Sequence, residues 1–265
     1  MRIALIMTTY NRPDALDVVL DSIKNQTILP DEILIADDGS GNDTTNAIEH
    51  WKEDSTIGSK IRHIWQPDEG FRPGAIRNKA IAKSTCDYII MIDGDMMLHP
   101  KFIEDHKKVI RKGYVVNGCR VRLDEKLTNK ICATHKHKNI NIMTRGILKD
   151  RIKCIRFRPL SKLFLDNFKP HSYYGIGCNM AFWRNDAIAV NGFDETFTGW
   201  GHEDSDFLFR LSRIGVKKCD LRFAAVQYHL YHTQRGNGSD NHIILKNRNS
   251  EGIIKAIKGI DQYLD

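Results

Sequence analysis

Asp93-Gly94-Asp95 puts two carboxylates two residues apart, directly after the most hydrophobic stretch of the chain, Tyr88-Ile89-Ile90-Met91-Ile92. Two acids at the end of a buried strand repel each other and resist ionisation unless something compensates them. A divalent cation would do so. Hard oxygen ligands suit Mg2+ or Mn2+, and such ions commonly also hold phosphates. Gly94 would let the backbone approach a bound ligand closely. An isolated Asp-x-Asp is equally at home in a surface turn, so the weight comes from its neighbours. Asp37-Asp38-Gly39-Ser40 is a second acidic cluster. An Asp there can accept hydrogen bonds from a base or ribose, or simply close an Asp-Gly turn. In Thr8-Thr9-Tyr10-Asn11-Arg12, Tyr10 could stack on a base or pack as a loop aromatic. Arg77 and Asn78 could reach a diphosphate, or Arg77 could face solvent.

The third acidic cluster, Gly199-Trp200-Gly201-His202-Glu203-Asp204-Ser205-Asp206, looks too polar for a core element. Glycines around Trp200 suit a mobile loop with an aromatic platform for a sugar face. Glu203 and Asp204 are expected to point in different directions, one binding an acceptor while the other takes a proton. The same acids could serve a helix N-terminus, with Asp204 or Ser205 as cap. In His229-Leu230-Tyr231-His232 the two imidazoles would lie on opposite faces of a strand but on one face of a turn or helix. Either could complete a metal shell, since imidazole suits Mn2+ better than Mg2+.

Apolar runs at Arg2–Met7, Asp31–Ala36, Ile61–Trp65 and Tyr88–Ile92 read as strands. Helical patterns lie between them, at about Asp14–Asn25, Thr44–Glu53 and Gly74–Lys83. This alternation predicts right-handed crossovers and a mostly parallel sheet flanked by helices. Ligands of such folds sit at the carboxyl ends of the strands, where Thr8–Arg12, Asp37–Ser40 and Asp93–Asp95 all fall. Further along, Val115–Leu123 reads as one strand and Gly177–Trp183 leads into a helix that Gly192 ends. Phe207–Ile214 is a short helix, Ala224–Tyr228 a strand, and Ile243–Tyr263 a helix.

At 265 residues and with 41% hydrophobic residues the chain is an ordinary globular one, and a single domain is expected. The six cysteines form no Cys-x-x-Cys pair, which argues against a thiolate zinc site. With no secretory signal apparent, free thiols point to the cytoplasm. Net charge is +7, and the excess is concentrated: twelve Lys and Arg lie between Lys126 and Lys169, opposed there only by Asp150 and Asp166. Such a tract is either a solvated face or a patch that meets an anionic acceptor or the inner membrane surface. A nucleic-acid-binding module would show a basic stripe with aromatics on a recognised fold, and the acidic clusters argue against it. A nucleotidyltransferase would carry a Gly-rich phosphate loop near the N-terminus, which is missing here.

Taken in order, Thr8–Arg12, Ala36–Ser40 and Asp93–Asp95 resemble the donor-side motifs of the family-2 group of inverting glycosyltransferases. Tyr174–Trp183, Asn191-Gly192-Phe193 and Gly199–Asp206 resemble the carboxyl-terminal half of β-1,4-galactosyltransferases, and are similar to bacterial chondroitin-polymerase domains. The resemblance covers most of residues 1–125 and 172–235. It implies an α/β, Rossmann-like GT-A fold with a nucleotide-sugar-binding half (1–125), a basic variable segment (126–171) and an acceptor and catalytic half (172–265). The implied activity is metal-dependent inverting transfer of a hexose or N-acetylhexosamine from a UDP-sugar to a glycan or glycolipid, in cell-surface polysaccharide or lipopolysaccharide synthesis. For the donor it implies Thr9, Tyr10, Arg12, Asp38, Arg77, Asp93, Gly94 and Trp200, with Asp38 on the uracil and Tyr10 beside it. For the metal, Mn2+ or Mg2+, it implies Asp95 with His232 and His229, the dominant histidine being undecided. For catalysis it implies Asp204, as base, and Glu203, and for the acceptor Glu203 again with Trp200 and Gly201.

Overall fold

The computed structural model describes residues 1–167, 173–233 and 240–264; Lys169 and the expected boundary near residue 171 lie outside them. The first half runs β1 (Ile3–Thr9), α1 (Pro13–Lys24), β2 (Glu32–Asp37), α2 (Asn42–Lys52), β3 (Ile61–Trp65), α3 (Pro73–Lys83) and β4 (Tyr88–Asp93). There follow β5 (Met96–Leu98), α4 (Phe102–Lys107), β6 (Tyr114–Asn117), β7 (Val121–Leu123), α5 (Glu125–Cys132), β8 (Ile147–Lys149) and α6 (Arg158–Asn167). The remainder comprises β9 (Asn179–Trp183), α7 (Arg184–Ala189), α8 (Glu203–Arg213), β10 (Lys217–Asp220), β11 (Gln227–His229) and α9 (Asn241–Glu251).

Seven strands form the main sheet in the order β10-β6-β9-β4-β1-β2-β3. Its strands run parallel except β9, which is antiparallel to both β4 and β6. The continuous apolar runs follow from burial on both faces, because alternate side chains enter opposite layers. Ile3, Leu5 and Met7 pack with Leu16, Val19, Leu20 and Ile23 of α1. Ala4 and Ile6 turn the other way and meet Ile76, Ala80 and Ile81 of α3. A smaller sheet, β5-β11-β7-β8, stands beside the first.

Several expected elements are corrected. Val115–Leu123 is not one strand: it breaks after Asn117, and β6 and β7 join different sheets. At the break a Cβ on Gly118 would lie 2.3 Å from the Asn179 side chain, so only glycine fits that crossing. The helix expected over Ile243–Tyr263 stops at Glu251 because Gly252 takes a left-handed φ of 68°, a common helix terminator. The helix expected from Phe207 begins at Glu203 instead. The acidic cluster is therefore its first turn, where the helix dipole favours negative charge. Nor is that cluster too polar for the interior: Glu203, Ser205 and Asp206 are all buried.

Asp206 holds this helix to the core. Arg210, fully buried, donates from Nε to Asp206 Oδ2 at 2.8 Å and from Nη1 to the carbonyls of Val190 and Gly192 at 2.6 and 2.7 Å. Removing the carboxylate would leave a buried, uncompensated guanidinium. Asp206→Ala should therefore lower the unfolding free energy by about 3–5 kcal/mol in urea titration. A loss under about 1 kcal/mol, the range of exposed pairs, would contradict this.

Candidate active site

The carboxyl ends of β1, β2 and β4 meet at one edge of the sheet, and the first three sequence clusters lie there together. Gly94 donates its N–H to the Thr8 carbonyl at 2.6 Å, and a Cβ on it would stand 2.6 Å from the same oxygen. Glycine is thus required between the two aspartates by contact with the protein itself. Thr8 Oγ1 donates to Asp93 Oδ1 at 3.1 Å. Thr9 is buried, and its hydroxyl has no hydrogen-bond partner among the described residues. Arg12 pairs with Asp14 at 3.1 Å at the start of α1. Asp38 is buried and accepts from Gln66 Nε2 at 2.6 Å and from the Arg72 N–H at 2.8 Å; burial pushes its carboxyl above the usual range. It lines a cleft of about 280 Å³ with Tyr10, Asp68, Gly70 and Phe71, and the Tyr10 hydroxyl donates to Asp68 at 2.7 Å.

The smaller sheet delivers the histidines. β11 pairs antiparallel to β5 with His229 opposite Met96, and the Leu230 N–H donates to the Asp95 carbonyl at 3.0 Å. His229 therefore arrives beside Asp95, and the chain leaving the strand brings His232 back to the same place. Each Nε2 lies 3.3 Å from Asp95 Oδ2, and the rings stand 5.1 Å apart, nearly perpendicular. One ligand atom from each of the three residues falls within 4.8 Å of the others, and among the described residues this is the one such group. Asp95 Oδ1 is buried without a hydrogen-bond partner among the described residues. An orphaned carboxylate oxygen beside two imidazoles is a donor set that fits a divalent cation. Burial raises the Asp95 carboxyl, but His229, His232 and Arg12 more than reverse this and hold it below the usual range. The strand-or-turn question for the two histidines thus resolves as both together, on one side.

Arg77 lies at the centre of the remaining groups. It is buried, not solvent-facing, with its guanidinium 5.3 Å from the centroid of the Phe193 ring. Nη1 donates to Glu203 at 3.0 Å and to Asp204 at 2.9 Å, and Nη2 lies 3.4 Å from Asp93. Glu203 and Asp204, expected to diverge, thus converge on one nitrogen, and Glu203 Oε2 is buried without a hydrogen-bond partner among the described residues. Asp204 Oδ2 accepts the Gly177 N–H at 2.6 Å, and a Cβ on Gly177 would collide with that carboxylate. Burial and the charge of Glu203 raise the Asp204 carboxyl to about 6 against the pull of Arg77. Burial also raises Asp93, again opposed by Arg77. Asn78 does not reach toward a ligand: it is fully buried, and its amide is spent on Phe193 and Glu195.

The loop before α8 has left-handed φ angles at Gly199, Gly201 and His202, and Trp200 is 61% exposed on it. Neither Asp204 nor Ser205 caps the helix; His202 holds the cap position without a side-chain bond. Sequence reasoning passed over Asp68, Phe71, Gln66 and the N–H of Gly177. The first three follow β3, so the rule that drew attention to the other strand ends would have found them.

The family model for glycosyl transferase family 2 matches residues 4–188, more than half of the chain. The chain belongs to this family. A second model, the N-terminal domain of galactosyltransferase, matches residues 160–233 and so takes in α8 and the histidine pair. Among curated relatives, hyaluronan synthase of Pasteurella multocida is 26% identical over 80% of this chain and 23% of its own length. Chondroitin synthase of Escherichia coli is 25% identical over 90% of this chain and 35% of its own. The chain thus spans about a quarter to a third of the length of these relatives. Among solved structures, S. aureus TarS 1–349 in complex with UDP-GlcNAc superposes with a TM-score of 0.63 at 15% identity, covering 99% of this chain and 69% of that one. A Pyrobaculum calidifontis mannosyltransferase in complex with GDP-Man and Mn2+ gives 0.60 at 14% identity, covering 95% and 69%. These likenesses establish the GT-A fold that the sequence motifs implied. Divalent metal use is common among such enzymes.

Because Asp95 supplies the only carboxylate of the His229–His232 group, Asp95→Ala should weaken Mn2+ binding by about a hundredfold or more in calorimetric titration. Equal affinity in the variant would rule the group out as a cation site.

Proposed function

We propose that the chain transfers a hexose or N-acetylhexosamine from a UDP-sugar to a hydroxyl of a glycan acceptor, with inversion, in the synthesis of a cell-surface polysaccharide. The observation that carries this reading is that Asp95, His229 and His232 meet within charge range of Asp93, which also pairs with the Arg77 that holds Asp204. The family assignment supports it, as do the printed names of the polysaccharide synthases and the UDP-bound TarS structures.

In this reading the Tyr10–Asp38–Asp68 cleft holds the uridine, with Tyr10 and Phe71 as its aromatic walls. Gln66 and the Arg72 N–H fix the Asp38 carboxylate for base recognition. Thr9, Arg12, Asp93 and Gly94 border the ribose and diphosphate, and Trp200 closes over the donor from its loop. Asp95, His229 and His232 hold Mn2+ or Mg2+, which when bound neutralises charge on the leaving diphosphate. Asp204 takes the proton from the attacking hydroxyl. Its carboxylate is aimed by Gly177 and Arg77, and Glu203, Trp200 and Gly201 form the acceptor side. The reaction is a single displacement in which the acceptor oxygen bonds to the anomeric carbon as the bond to UDP breaks. No helix among the described residues is long and apolar enough to cross a membrane. The basic segment is the surface that would meet an anionic one.

Incubation with a panel of UDP-sugars, Mn2+ and glycan acceptors should release UDP and not pyrophosphate; release of pyrophosphate would replace this reading with nucleotidyl transfer. Asp204→Asn should lower kcat by about 10²–10⁴-fold with UDP affinity largely kept, and near-normal turnover would remove the assignment. The base works ionised, so kcat/KM should rise with pH up to about 6 and then level off. Arg77 holds the Asp204 pKa down, so Arg77→Met should move that limb to higher pH. A shift to lower pH would contradict the arrangement.

A further inference from the structure

A cavity of about 810 Å³ opens at the carboxyl ends of β6 and β10, where Asn117 stands in register with Asp220. Because β9 is antiparallel to both β4 and β6, those ends lie on the same edge of the sheet as Asp93. The cavity and the candidate base share one turn. Asn117, on the cavity wall, donates from Nδ2 to the Ile176 carbonyl at 2.9 Å, and the next residue, Gly177, donates its N–H to Asp204. One short turn thus connects the cavity wall to the proton acceptor.

The lining combines two chemistries. Leu148, Ile152, Phe164, Leu221 and Phe223 make apolar walls, and Leu148 and Ile152 stay 57% and 65% exposed at the rim. Leu148 and Ile152 thus leave aliphatic surface open to whatever occupies the cavity. Lys149, Arg151, Lys153 and Arg222 supply positive charge. The cavity carboxylates do not cancel all of it: Asp150 pairs with Lys153 and Arg122, and Asp220 pairs with Lys218. Lys149 and Arg222 have no carboxylate at ion-pair distance among the described residues, and the Arg222 guanidinium lies 5.4 Å from the centroid of Phe164. Two wall residues, Asp150 and Phe223, hold left-handed backbone with φ of 70° and 57°. That conformation is costly for a residue with a Cβ and concentrates at binding sites.

The geometry points to this cavity as the seat of an acceptor's anchored end, a phosphate ester on a hydrocarbon chain. This rests on the glycosyltransferase reading and adds the acceptor class to it. Free phosphate would leave the apolar walls unused, and a neutral glycan would leave Lys149 and Arg222 unpaired.

The probe is dodecyl phosphate below its micellar concentration, titrated calorimetrically into the full chain in EDTA, with inorganic phosphate and dodecyl maltoside as comparators. Dodecyl phosphate should bind one to one, about a hundredfold tighter than inorganic phosphate, because several methylenes are buried with it. Dodecyl maltoside should bind far more weakly. Lys149→Gln with Arg222→Gln should weaken dodecyl phosphate about tenfold per cation, and Leu148→Asn with Ile152→Asn should weaken it without changing inorganic phosphate binding. Unchanged unfolding midpoints show that these variants are folded. Equal affinity for dodecyl phosphate and inorganic phosphate, or wild-type affinity in the Lys149/Arg222 variant, would overturn the proposal. So would attachment to phosphatidylglycerol vesicles without binding of the monomeric amphiphile, which would mean surface adsorption. UDP release from UDP-sugars, assayed separately, tells failure of the cavity from failure of the transferase reading.

Discussion

The guanidinium of Arg77 is buried among three carboxylates, Asp93 from the end of β4 and Glu203 and Asp204 from the start of α8. Each acid alone would be expensive to ionise in that interior, and Asp93, Glu203 and Asp204 together would repel. One cation with a fixed, planar set of donors makes the assembly tolerable and sets its geometry. It joins the end of β4 in the main sheet to the helix that carries the candidate base. Breaking such a buried group by removing one partner typically costs about 3–5 kcal/mol. The position of Asp204 and the burial of Glu203 follow from this one side chain, which also limits how far burial and Glu203 raise the Asp204 carboxyl.

A second constraint comes from backbone pairing. The short strand after Asp95 accepts β11 as an antiparallel partner, so register alone carries His229 to Asp95. Both constraints place charged groups where the parallel sheet leaves an open edge, the usual ligand position in α/β folds. Asp95 and Asp93, two residues apart, are driven in opposite directions: imidazoles lower the first and burial raises the second. Identical side chains thus acquire different proton affinities from their neighbours alone.

The layered fold was legible because strands buried on both faces must be apolar throughout, and Ile3–Met7, Ile33–Ala36 and Tyr88–Ile92 are so. The clusters at their ends were legible for the same reason, since polar residues can follow such a run only where the strand leaves the core. Boundaries failed where a single glycine decided them, by a close contact at Gly118 and by left-handed backbone at Gly252. The Arg77 cluster failed for a different reason. Arg77 read as a diphosphate contact or a solvent-facing charge, and Glu203 and Asp204 as acids pointing apart; only packing brings these segments, more than a hundred residues apart, within 3.0 Å.

The sequence by itself determined the α/β alternation, the family motifs and the residue types at the strand ends, because these depend on local patterning of apolar and polar side chains. Only the tertiary structure decided which of those charged groups meet: that both histidines turn to Asp95, that Glu203 faces inward with Asp204 on the same nitrogen, and that Asn78 serves the scaffold. Such pairings depend on desolvation and on distances between remote segments, and neither quantity exists before the chain has folded.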